Sequence, residues 1–330
     1  MHVEAFSEGK DLDRPELNED QFLILPGRGF AVIDGVTDRT GHCYEGLLAG
    51  RMAAGIVQQA VASFLLDPAE RADPARLVRH VTGAIRAAYE RFGMLATAEQ
   101  APERRFGATL AFCADLGETL RFVLVGDSGL RLNGAETIVN DTGLDLVTAS
   151  LRQEAWRVVR EAGGDGEACA AVGRACAFDG AARLLPDMRP WLDETALASL
   201  LARTLERCRQ RFPDVAEADL RLLLEGGIRR GQVHFQNNRR SLLSYAVLDG
   251  FEVPMELVSV MERAKSEVAT VELFTDGYFL PGAQPAVAAW EQAFAEVEAT
   301  DPEKVDRFPS VKGTMGRIRA DDRTVVIVRF

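Results

Sequence analysis

No two of the five cysteines in this 330-residue chain stand in a CxxC pair. Cys43, Cys113, Cys169, Cys176 and Cys208 are an odd set, which argues against a disulfide framework or a zinc knuckle and for reduced thiols in a cytoplasmic protein. Basic charge is in deficit, with 38 Lys and Arg against 50 Asp and Glu and a net charge of -12. A nucleic-acid binder would normally carry a basic face, so DNA and RNA are not expected partners. An acidic excess suits a site that collects cations, and it equally suits plain solubility. Long apolar runs are missing. The most apolar stretch, Ala53 to Leu66, is broken by Gln58 and Gln59 and is too short to span a bilayer, so no membrane association is expected. Met1 to Lys10 is polar and acidic, unlike a signal peptide. There is no internal repeat and no low-complexity segment. No GxGxxG follows a strand and opens a helix, and no Walker-type phosphate loop occurs, which disfavours nucleotide sites of those kinds.

What is present is an ordinary globular composition, 47% hydrophobic and 27% charged, in a chain long enough to bury a large core. Residues 1–19 are polar. Gln21–Leu25 and Phe30–Ile33 read as two strands joined by the turn Pro26-Gly27-Arg28-Gly29. Apolar residues at helical spacing (Met52, Ile56, Val57, Ala60, Phe64) predict a helix over 45–66, and Leu77, Val81, Ile85, Ala88 and Phe92 predict another over 74–98. Ala108–Ala114 and Leu120–Val125 form a hairpin signal. Residues 140–230 are rich in Ala, Leu, Arg and Glu and predict helices over 145–161, 166–177, 192–211 and 216–225. Strand signals return at 232–236, 242–248, 270–274 and 324–330, with a helix over 284–299 between the last two.

Five Asp-Gly dipeptides occur, and an isolated Asp-Gly is ordinarily a turn. Position separates two of them. Asp34 follows the apolar run Phe30-Ala31-Val32-Ile33, and Asp276 follows Val271-Glu272-Leu273-Phe274-Thr275. A carboxylate at the exit of a buried strand is held rigidly at the sheet rim, and the following glycine lets another group approach the backbone. Asp127 in Val125-Gly126-Asp127-Ser128 has the same placement. Asp321 and Asp322 precede the final strand, and Asn18-Glu19-Asp20 precedes the first. Converging carboxylates repel and need a positive counterpart. Few lysines lie near these motifs, so divalent cations are the expected answer, and oxygen-only ligands favour Mg²⁺ or Mn²⁺ over Zn²⁺.

In order, the motifs are Asn18-Glu19-Asp20, Ala31-Val32-Ile33-Asp34-Gly35, Phe106-Gly107-Ala108-Thr109, Val125-Gly126-Asp127-Ser128, Phe274-Thr275-Asp276-Gly277 and Asp321-Asp322-Arg323-Thr324-Val325. This series resembles that of the bacterial protein phosphatase 2C (PPM) family, and the resemblance covers the chain except residues 140–230. It implies one α+β domain over 1–330, a four-layer α-β-β-α sandwich of two antiparallel sheets flanked by helices, with 140–230 inserted as a helical block. It implies a two-metal site at one end of the sandwich. Asp34 would bridge the ions and Gly35 would lend its carbonyl. Asp276 and Asp321 would complete the first ion, while Glu19 and Asp20 would bind waters around the second. Asp127 matches an aspartate that some bacterial members use for a third ion. The implied activity is hydrolysis of phosphoserine and phosphothreonine in proteins by direct attack of a hydroxide between the metals, without a phosphoenzyme.

The chain also departs from the family pattern. Arg14, the arginine nearest the Asn-Glu-Asp segment, is the candidate phosphate clamp, but it lies one residue farther from Glu19 than the pattern has it. After Asp34-Gly35 the chain reads Val36-Thr37-Asp38-Arg39-Thr40-Gly41-His42, where His42 could protonate a leaving group or be incidental. Thr275 stands where the family has serine, and Asp322 where it commonly has asparagine. Asp249 reads as a turn residue. The helical block is expected to cover the site as a lid and to select substrate. Two other readings stay open: a same-fold phosphatase of small metabolites, or a binding or regulatory member without turnover. Retention of Asp34, Asp276 and Asp321 argues against the last.

Overall fold

The computed structural model describes residues 1–37, 43–67 and 73–330. The first half of the chain runs β1 (His2–Glu8), β2 (Gln21–Leu25), β3 (Gly29–Gly35), β4 (Cys43–Tyr44), β5 (Leu47–Leu48), α1 (Ala49–Leu66), α2 (Pro74–Arg91), α3 (Leu95–Gln100), β6 (Ala108–Asp115), β7 (Thr119–Val125), β8 (Gly129–Leu132) and β9 (Glu136–Ile138). Four helices follow, α4 (Leu144–Glu161), α5 (Gly166–Asp179), α6 (Glu194–Arg211) and α7 (Glu217–Arg230). The chain then returns to β10 (Ser259–Ala264), β11 (Thr270–Phe274), α8 (Val287–Thr300) and β12 (Arg323–Arg329). It divides into two compact units, one of Met1–Asp141, Tyr245–Val297 and Arg317–Phe330, the other of Thr142–Ser244 and Glu298–Gly316.

The first unit holds two five-stranded antiparallel sheets, in the orders β1-β12-β11-β8-β9 and β10-β7-β6-β3-β2. The strands of its centre are apolar at nearly every position because both faces are buried. One parity of the second sheet (Phe30, Val32, Ala111, Phe122, Leu124) meets Leu130, Val271, Leu273, Val326 and Val328 of the first sheet. The other parity (Ala31, Ile33, Leu110, Phe112, Val123) packs on α1 and α2 through Val57, Val61, Phe64, Val81 and Ile85. On the far side, Phe274, Val325 and Ile327 pack against Trp290 of α8. The layers are therefore α-β-β-α, as the motif order implies. Burial of each large side chain in these seams contributes about 1.5–3 kcal/mol. Helix α2 starts where Asp73 caps the amides of Ala75 and Arg76 and Pro74 fits the first turn. A buried charge network ties the first sheet to its helix layer: Glu272 accepts from Arg131 Nε at 2.8 Å and from Trp290 Nε1 at 2.7 Å, and Arg131 Nη1 donates to the carbonyl of Gly282 at 2.6 Å.

The second unit is a four-helix cluster joined by the later segment 298–316. Arg152 and Gln153 of α4 pin that segment by donating to the carbonyls of Glu303, Lys304 and Val305. Asp165 and Asp193 cap α5 and α6 through the amides of Ala168 and Ala196. All five cysteines of the chain are free thiols. Among the described residues no helix is long and apolar enough to cross a membrane.

Several elements differ from expectation. β1 lies within the segment read as polar, yet it pairs with β12 along its whole length, from His2 opposite Arg329 to Glu8 opposite Arg323. It is an edge strand, so only one side needs a partner and its alternation is weak. β8, β9 and β10 also escaped notice, being short or half exposed. Conversely, Gln232–Phe235 is a 3₁₀ turn, and residues 242–248 form no strand among the described residues but meet the sheet through a bridge from Ala108 to Leu248. Phe235, Leu243, Ala246, Val247 and Leu248 are buried there by loop packing, while Leu242 is exposed.

Candidate active site

The carboxylates singled out by the motifs stand at the ends of strands from both sheets. Asp34 ends β3, Asp20 immediately precedes β2, Asp127 follows β7, Asp276 follows β11, and Asp321 and Asp322 precede β12. Antiparallel pairing puts these termini at one end of each sheet. A hydrogen bond joins the two sheets at that end: Thr275 Oγ1 donates to Asp20 Oδ2 at 2.8 Å. Asp34 feels the convergence. Burial pushes its carboxyl well above the usual range, and the charges of Asp276, Asp20, Asp321 and Asp127 push it further. Asp20 is raised as well, first by burial and then by Asp322 and Asp276, against hydrogen bonds at Thr324 and Thr275 that favour its charge.

Glycines make the close packing possible. A Cβ on Gly35 would lie 2.2 Å from the carbonyl oxygen of Gly50, and one on Gly50 would lie 2.4 Å from Glu19 Oε1. The first turn of α1 thus presses directly on the end of β3 and on Glu19. At Gly277 a Cβ would meet the carbonyl oxygen of Asp322 at 2.0 Å, which explains why a glycine follows Asp276. Thr109 and Ser128, one in each of two motifs, are locked together by their hydroxyls at 2.6 Å. Thr109 faces Asp34 across the β3–β6 pair.

The structure also brings in a residue that the sequence reading passed over. Lys10 Nζ lies 3.0 Å from Glu19 Oε2, 3.0 Å from Asp322 Oδ2, 3.4 Å from Asp321 Oδ1 and 3.1 Å from Thr37 Oγ1. Burial works against its charge, but Asp321, Asp322 and Glu19 outweigh burial and hold the ammonium well above the usual lysine range. The expectation that few lysines lie near these motifs overlooked it because β1 was unread. Once Glu8 is placed opposite Arg323, the residues after the one and before the other become neighbours. Asp322 is buried, accepting from Lys10 N at 2.6 Å and from Glu19 N at 3.3 Å in addition to the ammonium.

Among the described residues Arg14 pairs away from the cluster. Its side chain is 62% exposed and pairs with Asp11 at 2.6 Å. His42 lies outside the described residues, as do its neighbours from Asp38. Asp249 is more than a turn residue: it is buried and paired with Arg105 at 3.1 Å, and that guanidinium stacks on Phe251. The groove between α1 and α2, lined in part by Ile56, Ser63, His80 and Arg91, contains none of these carboxylates.

The donor set suits a hard divalent cation. All its atoms are oxygens, and two of them, Glu19 Oε1 and Asp20 Oδ1, are buried with no hydrogen-bond partner among the described residues. Glu19 and Asp20 are 1% and 2% exposed. Among the described residues no three His, Cys, Asp or Glu side chains are grouped closely enough to hold a metal ion as they stand. Such carboxylates repel one another, and Lys10 contributes a single positive charge against them.

No protein-family model matches the chain, and no curated protein sequence matches it. Its fold is similar to several solved structures over their full length. One is the serine/threonine phosphatase PstP/Ppp of Mycobacterium tuberculosis, 19% identical, with a TM-score of 0.46 over 100% of this chain and 98% of that one. Another is the serine/threonine phosphatase Stp1 of Staphylococcus aureus, 11% identical, with a TM-score of 0.44 over 100% and 95%. A third is PppA, a regulatory component of the type VI secretion system in Pseudomonas aeruginosa, 13% identical, with a TM-score of 0.43 over 100% and 97%.

Proposed function

We propose that this chain is a divalent-cation-dependent phosphatase that hydrolyses phosphoserine and phosphothreonine esters in proteins. The observation that carries the reading is the meeting of Asp20, Asp34, Asp276 and Asp321 at one end of the sandwich, with Asp20 Oδ1 buried and unpartnered. A site that serves only stability has no use for carboxylates that repel one another across two sheets. The phosphoester chemistry and the protein substrate class follow from the resemblance of the motif series to the protein phosphatase 2C family.

In this reading Asp34, Gly35, Asp276 and Asp321 hold Mn²⁺ or Mg²⁺. Glu19 and Asp20 serve the adjoining side, and Asp127 is available to a further ion. When bound, the ions supply Lewis acidity toward water and positive charge toward the phosphoryl group. The chain's own part is to fix the oxygens. Thr275 holds one oxygen of Asp20, and the other is buried with no hydrogen-bond partner among the described residues. Gly35 and Gly50 let α1 close over Glu19. Arg14, paired with Asp11, is assigned no role. The test is phosphate release from a phosphopeptide panel and from an aryl phosphate, before and after chelation and with Mn²⁺ restored. Turnover that survives exhaustive chelation refutes the reading.

A further inference from the structure

We propose that Lys10 is a tethered cation occupying the Glu19–Asp321–Asp322 side of the site, so that the protein binds one divalent ion tightly where the resemblance leads to two. The proposal rests on the reading that the strand-end carboxylates hold a divalent ion; it keeps Asp20, Asp34 and Asp276 for that ion and moves Asp321 from it to Lys10.

Lys10 Nζ is within 3.4 Å of oxygens from Glu19, Asp321, Asp322 and Thr37. An ammonium has three protons to donate, and four acceptors surround this one. A divalent ion bound to the same oxygens would sit about 2.0–2.6 Å from them, in the space the ammonium fills, and like charges forbid sharing it. The lysine cannot withdraw easily. Its amide donates to Asp322 Oδ1 at 2.6 Å, and its carbonyl accepts from the amide of Arg319 at 2.8 Å, so the backbone is fastened to the segment that carries Asp321 and Asp322.

The remaining oxygens face elsewhere. Glu19 spans the divide: Oε2 binds Lys10 and the Thr37 hydroxyl, while Oε1 is buried and unpartnered. Asp20 offers only Oδ1, since Thr275 holds Oδ2. Asp34 ends β3 beside the start of β2, where Gln21 pairs with Ile33, and so stands with Asp20. The cluster therefore has one side satisfied by a monovalent cation built into the chain and one side whose buried oxygens, Glu19 Oε1 and Asp20 Oδ1, have no partner among the described residues. Asp321 is assigned by this division to Lys10 first.

The experiment is calorimetric titration of Mn²⁺ into the chelator-treated full chain, for the wild type, Lys10→Arg, Lys10→Met and Lys10→Gln, with folding checked by circular dichroism. The expected result is one tight ion for the wild type and Lys10→Arg, and two for the neutral variants. Two tight ions in the wild type overturn the proposal, and that arm needs no variant to fold. Folded neutral variants that stay at one ion overturn it as well. No Mn²⁺ in any protein refutes the underlying cation reading, and is distinguishable from the other failures because the wild type then binds none.

Discussion

Thr275 Oγ1 donates to Asp20 Oδ2 at 2.8 Å and accepts from the amide of Thr324 at 2.8 Å. This buried hydroxyl is the link between a carboxylate entering one sheet and the β11–β12 pair of the other. It also decides which oxygen of Asp20 is left for a ligand. Thr275→Ser keeps the hydroxyl and should behave nearly as the wild type. Thr275→Val keeps the shape but strands both partners. Each buried group so orphaned costs about 1–3 kcal/mol, and loss of an outer-shell partner commonly costs about 10–100-fold in metal affinity. Thermal melts and Mn²⁺ titration should therefore show a lower midpoint and weaker binding for valine and neither for serine. Equal Mn²⁺ affinity in all three proteins would remove Thr275 from the site.

Asp34→Asn should separate function from stability. Its carboxylate is pressed by Asp276, Asp20, Asp321 and Asp127. Removing its charge should lower turnover of an aryl phosphate by more than the roughly 100-fold typical of an outer-shell loss, because the residue itself is the proposed ligand. In the presence of chelator the same variant should melt higher than the wild type, since one repelling charge is gone. A variant that is both inactive and less stable without metal would show that Asp34 has a structural partner instead.

The sandwich was legible in the sequence where strands were buried on both faces. The run at Phe30–Ile33 is continuous and apolar, and those at Ala108–Ala114 and Thr270–Phe274 are apolar but for Thr109, Thr270 and Glu272; such runs announce themselves. The carboxylates were legible because each sits at the end of such a run. β1 was not, because as an edge strand it buries only part of its length among polar residues. Missing β1 hid Lys10, since only the pairing of Glu8 with Arg323 carries the lysine to Asp321 and Asp322. Only its distance along the chain from Glu19 recommends Arg14. That measure says nothing of Asp11, three residues away, which takes the guanidinium.

Asp322 illustrates the difference between a motif position and a place in the fold. The family pattern tolerates asparagine there, but here the carboxylate accepts from Lys10 N, Lys10 Nζ and Glu19 N. An amide would present a donor to an ammonium or to a backbone N–H. Asp322→Asn should therefore cost about 1–3 kcal/mol of stability, the price of leaving a buried donor unmet. Asp321 is 28% exposed on its side chain and makes the longer contact with Lys10, 3.4 Å. Asp321→Asn should spare stability and reduce Mn²⁺-dependent turnover. Urea unfolding and kcat on the two variants decide the matter, and a reversed pattern would shift the ligand register by one residue.

The helical unit has its own electrostatic weak point, and it fixes a pH dependence. Glu154 of α4 has a side chain only 1% exposed and accepts from Arg157 Nη2 at 2.6 Å, Arg203 Nε at 2.6 Å and Arg207 Nη2 at 3.0 Å. Burial pushes its carboxyl up, but the guanidinium hydrogen bonds and charges outweigh burial and hold it at about 2, below the ordinary 4.5. A depressed folded value means that the unfolded chain takes up the proton first. The stabilisation is therefore complete above about pH 4.5 and is lost as pH falls toward 2. The three arginines are 45–50% exposed, so screening trims the effect to about 1–2 kcal/mol. Glu154→Gln removes the titration and keeps the size. At pH 7 it should unfold at lower urea than the wild type, and the gap should narrow steadily between pH 4.5 and pH 2.5 as the wild type loses what the variant never had. A gap that stays constant over that window would mean that Glu154 acts through packing and not through its charge, and the three arginines would then be stabilised by something other than this carboxylate.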